Sequence, residues 1–240
     1  MSDAWSEIMK DAVNGIVGEY TIERDDGRVE TLQVSDYNKS FSEWDELERQ
    51  AIKYAKGKVL DIGCGAGRVA LHLQTLGHEV VGIDLAPGAI AACKTMGLRE
   101  AYVMSATSLQ FKNNTFDTII MFGNNFGIAG DEKQTISMLR TLYKITTPDA
   151  IILAGSVDAL NTNNEDHLKY HGINRAKNKP PGLVRIRVKY KEYVTDWFDL
   201  WLVTLSELDR ITKKSGWRIE KIYQTGKVNQ PAYVGILTKK

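Results

Sequence analysis

Three glycines at alternate positions, Gly63, Gly65 and Gly67, follow an apolar run and a carboxylate, Asp61, in the stretch VLDIGCGAGR. Glycines in a strand-to-helix turn permit a tight bend and close backbone approach by a ligand. The helix that follows presents N–H groups, which favour an anion. Such glycines also serve plain packing of a helix on a strand, so their neighbours must decide. The spacing is G-x-G-x-G, with Arg68 where a dinucleotide fingerprint has its third glycine. The G-x-x-x-x-G-K pattern of nucleotide hydrolases is absent. Asp61 is the informative residue. A carboxylate immediately before the loop repels a pyrophosphate and suits a ligand carrying an ammonium or sulfonium charge. Asp84 ends the next apolar run, VVGID. There a carboxylate can accept both hydroxyls of a ribose, or serve as an acid at the start of a helix.

Other residues have types and spacings that allow chemistry. Asn124 and Asn125, in GNNFG, either orient a polar substrate or merely form a loop. His167 and His171, four apart in HLKYH, could share a metal or supply a base if that stretch is helical, although no third ligand is suggested. His72 and His78 read as a helix face and a strand start. Tyr190, Tyr193, Trp197 and Trp201 either wall a pocket or fill a core, and core is the preferred reading. The two cysteines, Cys64 and Cys93, lack metal-type spacing and point to a reduced, intracellular setting.

The elements that must position these groups alternate strand and helix. The apolar runs KVLDI, HEVVGIDL, AYVMSA, FDTIIMFG and AIILAGSV read as strands. GRVALHLQTLG, APGAIAACKTMG and DEKQTISMLRTLYKIT read as helices, with Pro87 near one start and Gly77 and Gly97 as stops. This series predicts an α/β fold, a parallel sheet with helices on both faces. Before it, YTIERDDGRVETLQV suggests a hairpin turning at Asp26-Gly27. A helix is expected from a Ser42 cap to Gly57, with Leu47, Ala51 and Tyr54 on one face. After Val157 the series breaks into a polar stretch, 158–181. Then GLVRIRVKYKEY alternates strictly: Val184, Ile186, Val188 and Tyr190 face one way, Arg185, Arg187, Lys189 and Lys191 the other. DWFDLWLVT is its candidate partner strand. SELDRITKKSGW reads as a helix capped by Ser206 and stopped by Gly216, and RIEKIYQTG and AYVGILTK as a closing hairpin that ends the sheet in an antiparallel edge strand.

The chain of 240 residues, 43% hydrophobic and 25% charged, has an ordinary globular composition. It suits one domain, 1–240, with an N-terminal cap region, 1–56, and an insertion, 158–203, expected to cover the substrate site. A net charge of +1 gives no bulk argument for nucleic acid or membrane. No apolar run is long enough to span a bilayer and the first residues lack a signal-peptide pattern, so a cytoplasmic protein is expected.

VLDIGCGAGR, VVGIDLAPGAI, YVMSATSLQF and FDTIIMFGNNFG, in this order, together with the closing helix and hairpin, resemble the class I S-adenosylmethionine-dependent methyltransferases. The resemblance covers about residues 37–157 and 204–239. It implies a Rossmann-like, seven-stranded, mostly parallel sheet with an antiparallel last strand, to which the alternating segment adds an inserted antiparallel β element. It also implies roles. Gly63, Cys64 and Gly65 line the methionine part of S-adenosylmethionine, and Asp61 reaches its amino group. Asp84 holds the ribose, Leu85 packs on adenine, and Ser105 and Ala106 lie at the adenine edge. Many relatives have an acid at the position of Ser105. Met121, Phe122 and Gly123 lie by the reaction centre. Tyr37 resembles an aromatic that caps the cofactor, a role Phe41 or Trp44 could fill instead.

The expected activity is methyl transfer to a small molecule by in-line displacement, with His167, His171 and Asn124 as candidate catalytic groups and no metal. RNA stands second as acceptor, and a non-catalytic S-adenosylmethionine-binding protein third. GNNFG is not the Asn-Pro-Pro-Tyr type of element used by amine-methylating enzymes of nucleobases or glutamine. The basic face of 185–191 is a solvated edge, a greeting surface for an anionic small substrate, or an RNA contact. The acid-rich first 50 residues stand in contrast to the run 169–191, which holds no acid.

Overall fold

Apolar runs separated by amphipathic ones form a mixed α/β fold in the computed structural model, which describes residues 3–228 and 231–240. The chain opens with α1 (Ala4–Val13), β1 (Glu19–Arg24), β2 (Val29–Gln33) and α2 (Glu46–Ala51). The alternating series is β3 (Lys58–Ile62), α3 (Arg68–Thr75), β4 (Glu79–Asp84), α4 (Pro87–Thr95), β5 (Glu100–Val103), β6 (Phe116–Met121), α5 (Glu132–Ile145) and β7 (Thr146–Val157). Then follow α6 (Glu165–Ala176), β8 (Leu183–Tyr190), β9 (Tyr193–Val194), β10 (Phe198–Trp201), α7 (Leu205–Ser215), β11 (Trp217–Gln224) and β12 (Ala232–Lys239).

The main sheet has seven strands in the order β11-β12-β7-β6-β3-β4-β5. The pairs β3–β4, β4–β5 and β6–β7 are parallel, while β12 runs antiparallel to both β7 and β11. This is the Rossmann-like sheet with an antiparallel last strand. That strand does not form the edge, as the sequence suggested; β11 does. The composition explains the order. β12 carries a continuous buried run from Tyr233 to Leu237, which needs neighbours on both sides, whereas β11 carries Arg218, Glu220 and Lys221, charges that suit an exposed edge.

By contacts the chain divides into two compact units. The first comprises residues 1–45, 56–110 and 185–198. Its hairpin turns where expected, with Gly27 at φ +90° and the Arg24 guanidinium donating to both carboxylate oxygens of Asp26. The hairpin and the alternating segment, predicted as separate pieces, join in one sheet of order β10-β8-β1-β2, with β9 beside β8. Its apolar residues Tyr20, Val188 and Tyr190 pack with Ala4, Ile8, Met9 and Ala12 of α1.

The helix expected from Ser42 to Gly57 is broken. Ser40, not Ser42, caps a short 3-10 turn, Phe41–Glu43, through a capping box with Glu43. Trp44 then goes extended (φ −69°, ψ 156°), buries its ring, and donates its indole N–H to the Lys39 carbonyl at 3.1 Å. Burial of that ring redirects the chain before α2 begins. Tyr54 is exposed rather than aligned with Leu47 and Ala51.

The second unit comprises residues 46–55, 111–184 and 199–240. Its β7 starts earlier than AIILAGSV, at Thr146, and α7 is capped by Thr204, with a capping box to Glu207, rather than by Ser206. α6 lies inside the stretch read only as polar. Asn164 caps it, Glu165 and Asp166 occupy its first turn, and the Asn174 side chain donates to the Pro181 and Leu183 carbonyls. Among the described residues no helix is long and apolar enough to cross a membrane.

Candidate cofactor site

The site residues of the first unit gather at the carboxyl ends of β3 and β4, where ligands bind in open α/β sheets. Asp61 stands in β3 opposite Gly82 of β4 and is only 4% exposed. The loop that follows has φ of +71° at Gly63, +55° at Gly65 and +87° at Gly67. All three values lie in the left-handed region that residues with a Cβ avoid, so the glycine spacing is a backbone requirement of this turn.

Four of the loop's N–H groups donate within the protein itself. The N–H groups of Gly63 and Cys64 both donate to the Ile83 carbonyl (2.8 and 3.0 Å), and that of Gly67 to the Cys64 carbonyl (2.9 Å). Gly65 N–H donates to Asp84 Oδ2 at 3.0 Å, and Ala86 N–H donates to Asp84 Oδ1 at 2.9 Å. A phosphate cradle needs several such donors turned toward the ligand. Here they are spent on the end of β4, and the two nearby side chains, Asp61 and Asp84, are carboxylates. A carboxylate has about four acceptor positions, and the Ala86, Gly65 and Leu85 N–H groups leave room for a further donor. Burial pushes the Asp84 carboxyl up from its ordinary value against the opposing pull of the Ala86 and Gly65 N–H groups.

Around Gly65 sits an aromatic group that the sequence only partly announced. A Cβ on Gly65 would lie 3.4 Å from Met9 Sδ and 3.5 Å from Tyr37 Cδ1. The Tyr37 hydroxyl is 3.1 Å from that of Tyr20, and Trp5 meets both rings edge-on at 6.0 and 6.1 Å. Burial drives the Tyr20 phenol up to about 12 and the Tyr37 phenol well above its usual value. The three aromatic candidates are thereby separated. Tyr37 stands at the glycine loop, whereas Phe41 stacks on His72 at 4.3 Å and Trp44 lies under the Arg68 guanidinium at 4.5 Å. Trp5, Tyr20 and Met9 had no sequence signal beyond being apolar or aromatic near the chain start.

Met104 N–H donates to the Asp84 carbonyl, which brings the segment of Ser105 and Ala106 beside Asp84. Ser105 Oγ is 2.9 Å from Thr107 Oγ1, and Ala106 is buried. Leu85 is 63% exposed next to Asp84.

In the second unit, Met121 and Phe122 are buried where β6 ends. A Cβ on Gly155 of β7 would lie 3.0 Å from both the Met121 carbonyl oxygen and Phe122 Cα, so the ends of these two strands approach closely. Asn124 is half-buried, with φ +74°. His167 and His171 lie one turn apart on α6; His167 is half-buried and His171 is 4% exposed. Among the described residues no group of three or more His, Cys, Asp or Glu is placed to hold a metal. Among the described residues Asp158 Oδ1, just past β7 and without a sequence signal, and the indole N–H of the fully buried Trp201 have no hydrogen-bond partner.

The basic strand is partly neutralised within the first unit. Glu23 stands directly opposite Arg187 in the ladder and pairs with both Arg187 (2.9 Å) and Lys189. These cations hold the Glu23 carboxyl down at about 2. Buried Asp11 of α1 accepts from the Tyr190 hydroxyl at 2.6 Å and from Lys191. The acid-rich chain start and the basic segment, read apart as a charge asymmetry, are partners. Tyr190 and Trp201 are core, as preferred, and Trp197 lies under the Arg187 guanidinium at 4.6 Å.

Residues 59–149 match the family model described as a methyltransferase domain. A solved S-adenosylmethionine-dependent methyltransferase from Bacteroides fragilis, in complex with S-adenosyl-L-homocysteine, superposes with a TM-score of 0.82 over 99% of this chain and 95% of that one, at 24% identity. A ubiquinone biosynthesis O-methyltransferase of Dinoroseobacter shibae is 24% identical over 72% of this chain and 64% of its own length. An uncharacterized RNA methyltransferase of Staphylococcus epidermidis is 34% identical over 36% of this chain and 19% of its own length. The chain spans less than half the length of several other curated relatives it matches. Residues 59–149 are thus similar to a methyltransferase domain, and the chain shares the fold of the solved S-adenosylmethionine-dependent methyltransferase from Bacteroides fragilis.

Proposed function

We propose that the protein transfers a methyl group from S-adenosylmethionine to a small-molecule acceptor. The observation that carries this reading is the combination at the β3 and β4 ends: two buried or half-buried carboxylates beside a glycine loop in which the Gly63, Cys64, Gly65 and Gly67 N–H groups already donate within the protein. That combination fits a cationic nucleoside and disfavours a pyrophosphate. Asp84 would hold the ribose hydroxyls, Asp61 the ammonium group, and the Gly63–Gly65 backbone with Tyr37 the methionine part. Leu85, Ser105 and Ala106 would meet the adenine, and Met121 and Phe122 the reaction centre. When bound, the cofactor supplies an electrophilic methyl on a sulfonium. The protein's part is to orient and to exclude water, since charge is lost as the methyl moves.

The acceptor we favour is uncharged. An anionic acceptor would draw on the basic strand, but Arg187 and Lys189 already share Glu23, and Lys191 is paired with Asp11. We place the acceptor-facing role in residues 158–203, with His167, His171 and Asn124 as candidate proton-handling or orienting groups. RNA is the second reading, favoured by the similarity to the Staphylococcus epidermidis protein. Release of S-adenosylhomocysteine against a metabolite panel and an RNA panel separates the two. Turnover with metabolites alone supports the first, turnover with RNA alone replaces it, and cofactor binding without turnover on either panel returns the protein to a non-catalytic binder.

A further inference from the structure

The two cysteines of this chain lie 29 residues apart in sequence and meet at the glycine loop. Cys64 Sγ is 3.7 Å from Cys93 Sγ. Both thiols are free; Cys93 is fully buried and Cys64 is 8% exposed. Neither has room to turn away. A Cβ on Gly82 would lie 3.0 Å from Cys64 Sγ, and a Cβ on Gly67 would lie 3.0 Å from Cys93 Sγ, so each sulfur rests against a glycine backbone. The Cys93 thiol also donates to the Gly65 carbonyl at 3.1 Å, one residue from Cys64 and on the residue whose N–H grips Asp84.

From this geometry we infer that Cys64 and Cys93 are a site of oxidative modification, closing to a reversible disulfide that weakens cofactor binding. The inference rests on the cofactor reading above. The oxidant is a peroxide. The Cys64 thiolate attacks one peroxide oxygen, giving a sulfenic acid and releasing hydroxide. The Cys93 thiolate then attacks that sulfur and expels the second hydroxide. The two protons lost by the thiols complete two waters, each sulfur is oxidised by one electron, and the peroxide is reduced by two.

Two structural consequences follow. The sulfurs must close from 3.7 Å to the about 2.05 Å of a disulfide, which drags the loop toward α4. The Cys93 proton is also gone, so the Gly65 carbonyl loses its donor. Both changes act on the residue that links the loop to Asp84. The Cys93 contact and burial hold the Cys64 thiol well above its usual range, so thiolate is scarce near neutrality and oxidation accelerates as pH rises. Linkage is reciprocal: if the disulfide weakens cofactor binding, bound cofactor opposes disulfide formation by the same factor.

The test treats the full chain with hydrogen peroxide at pH 8.5, with and without S-adenosylhomocysteine. Intact mass, thiol titration, hydrogen exchange over residues 61–70 and calorimetric affinity are then read. The expected result is a monomer lighter by two hydrogens with no titratable thiol, faster exchange in the loop, and affinity lowered about tenfold. Dithiothreitol should reverse all of it. Cys93→Ser keeps a hydrogen-bond donor and should show no such mass change and no oxidant effect on its own affinity. Retention of both thiols, over-oxidised or intermolecular products, or an internal disulfide that leaves exchange and affinity unchanged would overturn the inference. Mass and exchange need no cofactor, so failure of the reduced protein to bind S-adenosylhomocysteine would sink the cofactor reading while the thiol pair is still judged.

Discussion

Asp84 holds the backbone of Gly65 and Ala86 and is the residue proposed to hold the ribose. It accepts from Gly65 and Ala86, so Asp84→Ala removes two charge-assisted bonds from the loop as well as the proposed ribose contact. A loss of about 1–3 kcal/mol in cofactor affinity is expected by calorimetry; unchanged affinity would remove Asp84 from the site. The pH dependence has a definite sign. The carboxylate is the form that accepts hydroxyls, and burial raises the carboxyl above its ordinary 3.8. Affinity should therefore fall on acidification with a midpoint above that value, and Asp84→Asn should abolish this limb. That Asp61 and Asp84 would sit beside the glycine turn was legible from the sequence, because each closes an apolar run next to it; their ligand roles are proposals. The packing of Trp5 and Tyr20 there was not legible, because an aromatic residue distant in sequence from the loop carries no mark of what it will touch.

At the scale of elements, α1 is seated by a very close approach to α4. A Cβ on Gly88 would lie 2.4 Å from Ser6 Cβ and 2.6 Å from Ser6 Cα, and the Gly88 N–H donates to Ser6 Oγ. Gly88→Ala should cost about 1–3 kcal/mol through overpacking, read as a lower urea midpoint at unchanged slope. A wild-type midpoint would mean that α1 does not dock there. Thr204→Ala should cost about 1 kcal/mol through loss of the α7 cap, while Ser206→Ala should be close to neutral. The β-α alternation was plain in the sequence because period and stop signals agree over each segment. The misreadings share one cause. The Ser42–Gly57 helix, the Ser206 cap and the missing α6 all fall where several Ser, Thr, Asn or acidic residues cluster. Any of these can cap, and tertiary burial, such as that of Trp44, chooses among them.

Over the whole molecule, the acidic chain start and the basic segment near residue 190 are joined by Glu23 and Asp11, a pairing that composition alone could not reveal. Glu23 is depressed from 4.5 to about 2, so its contribution is present above the unfolded value and is lost as pH falls through about 2. Unfolding midpoints of wild type and Glu23→Gln should therefore differ above pH 4.5 and converge as pH falls toward 2; a constant gap would show that the pairing contributes through packing alone. The central claim is narrower: the carboxylate-flanked loop takes a methyl donor rather than a dinucleotide. Calorimetric titration of the reduced protein with S-adenosylhomocysteine, and separately with NAD, tests it most directly. One-to-one binding of S-adenosylhomocysteine with no heat from NAD is the result expected, and saturable binding of NAD with none of S-adenosylhomocysteine is the result that contradicts it.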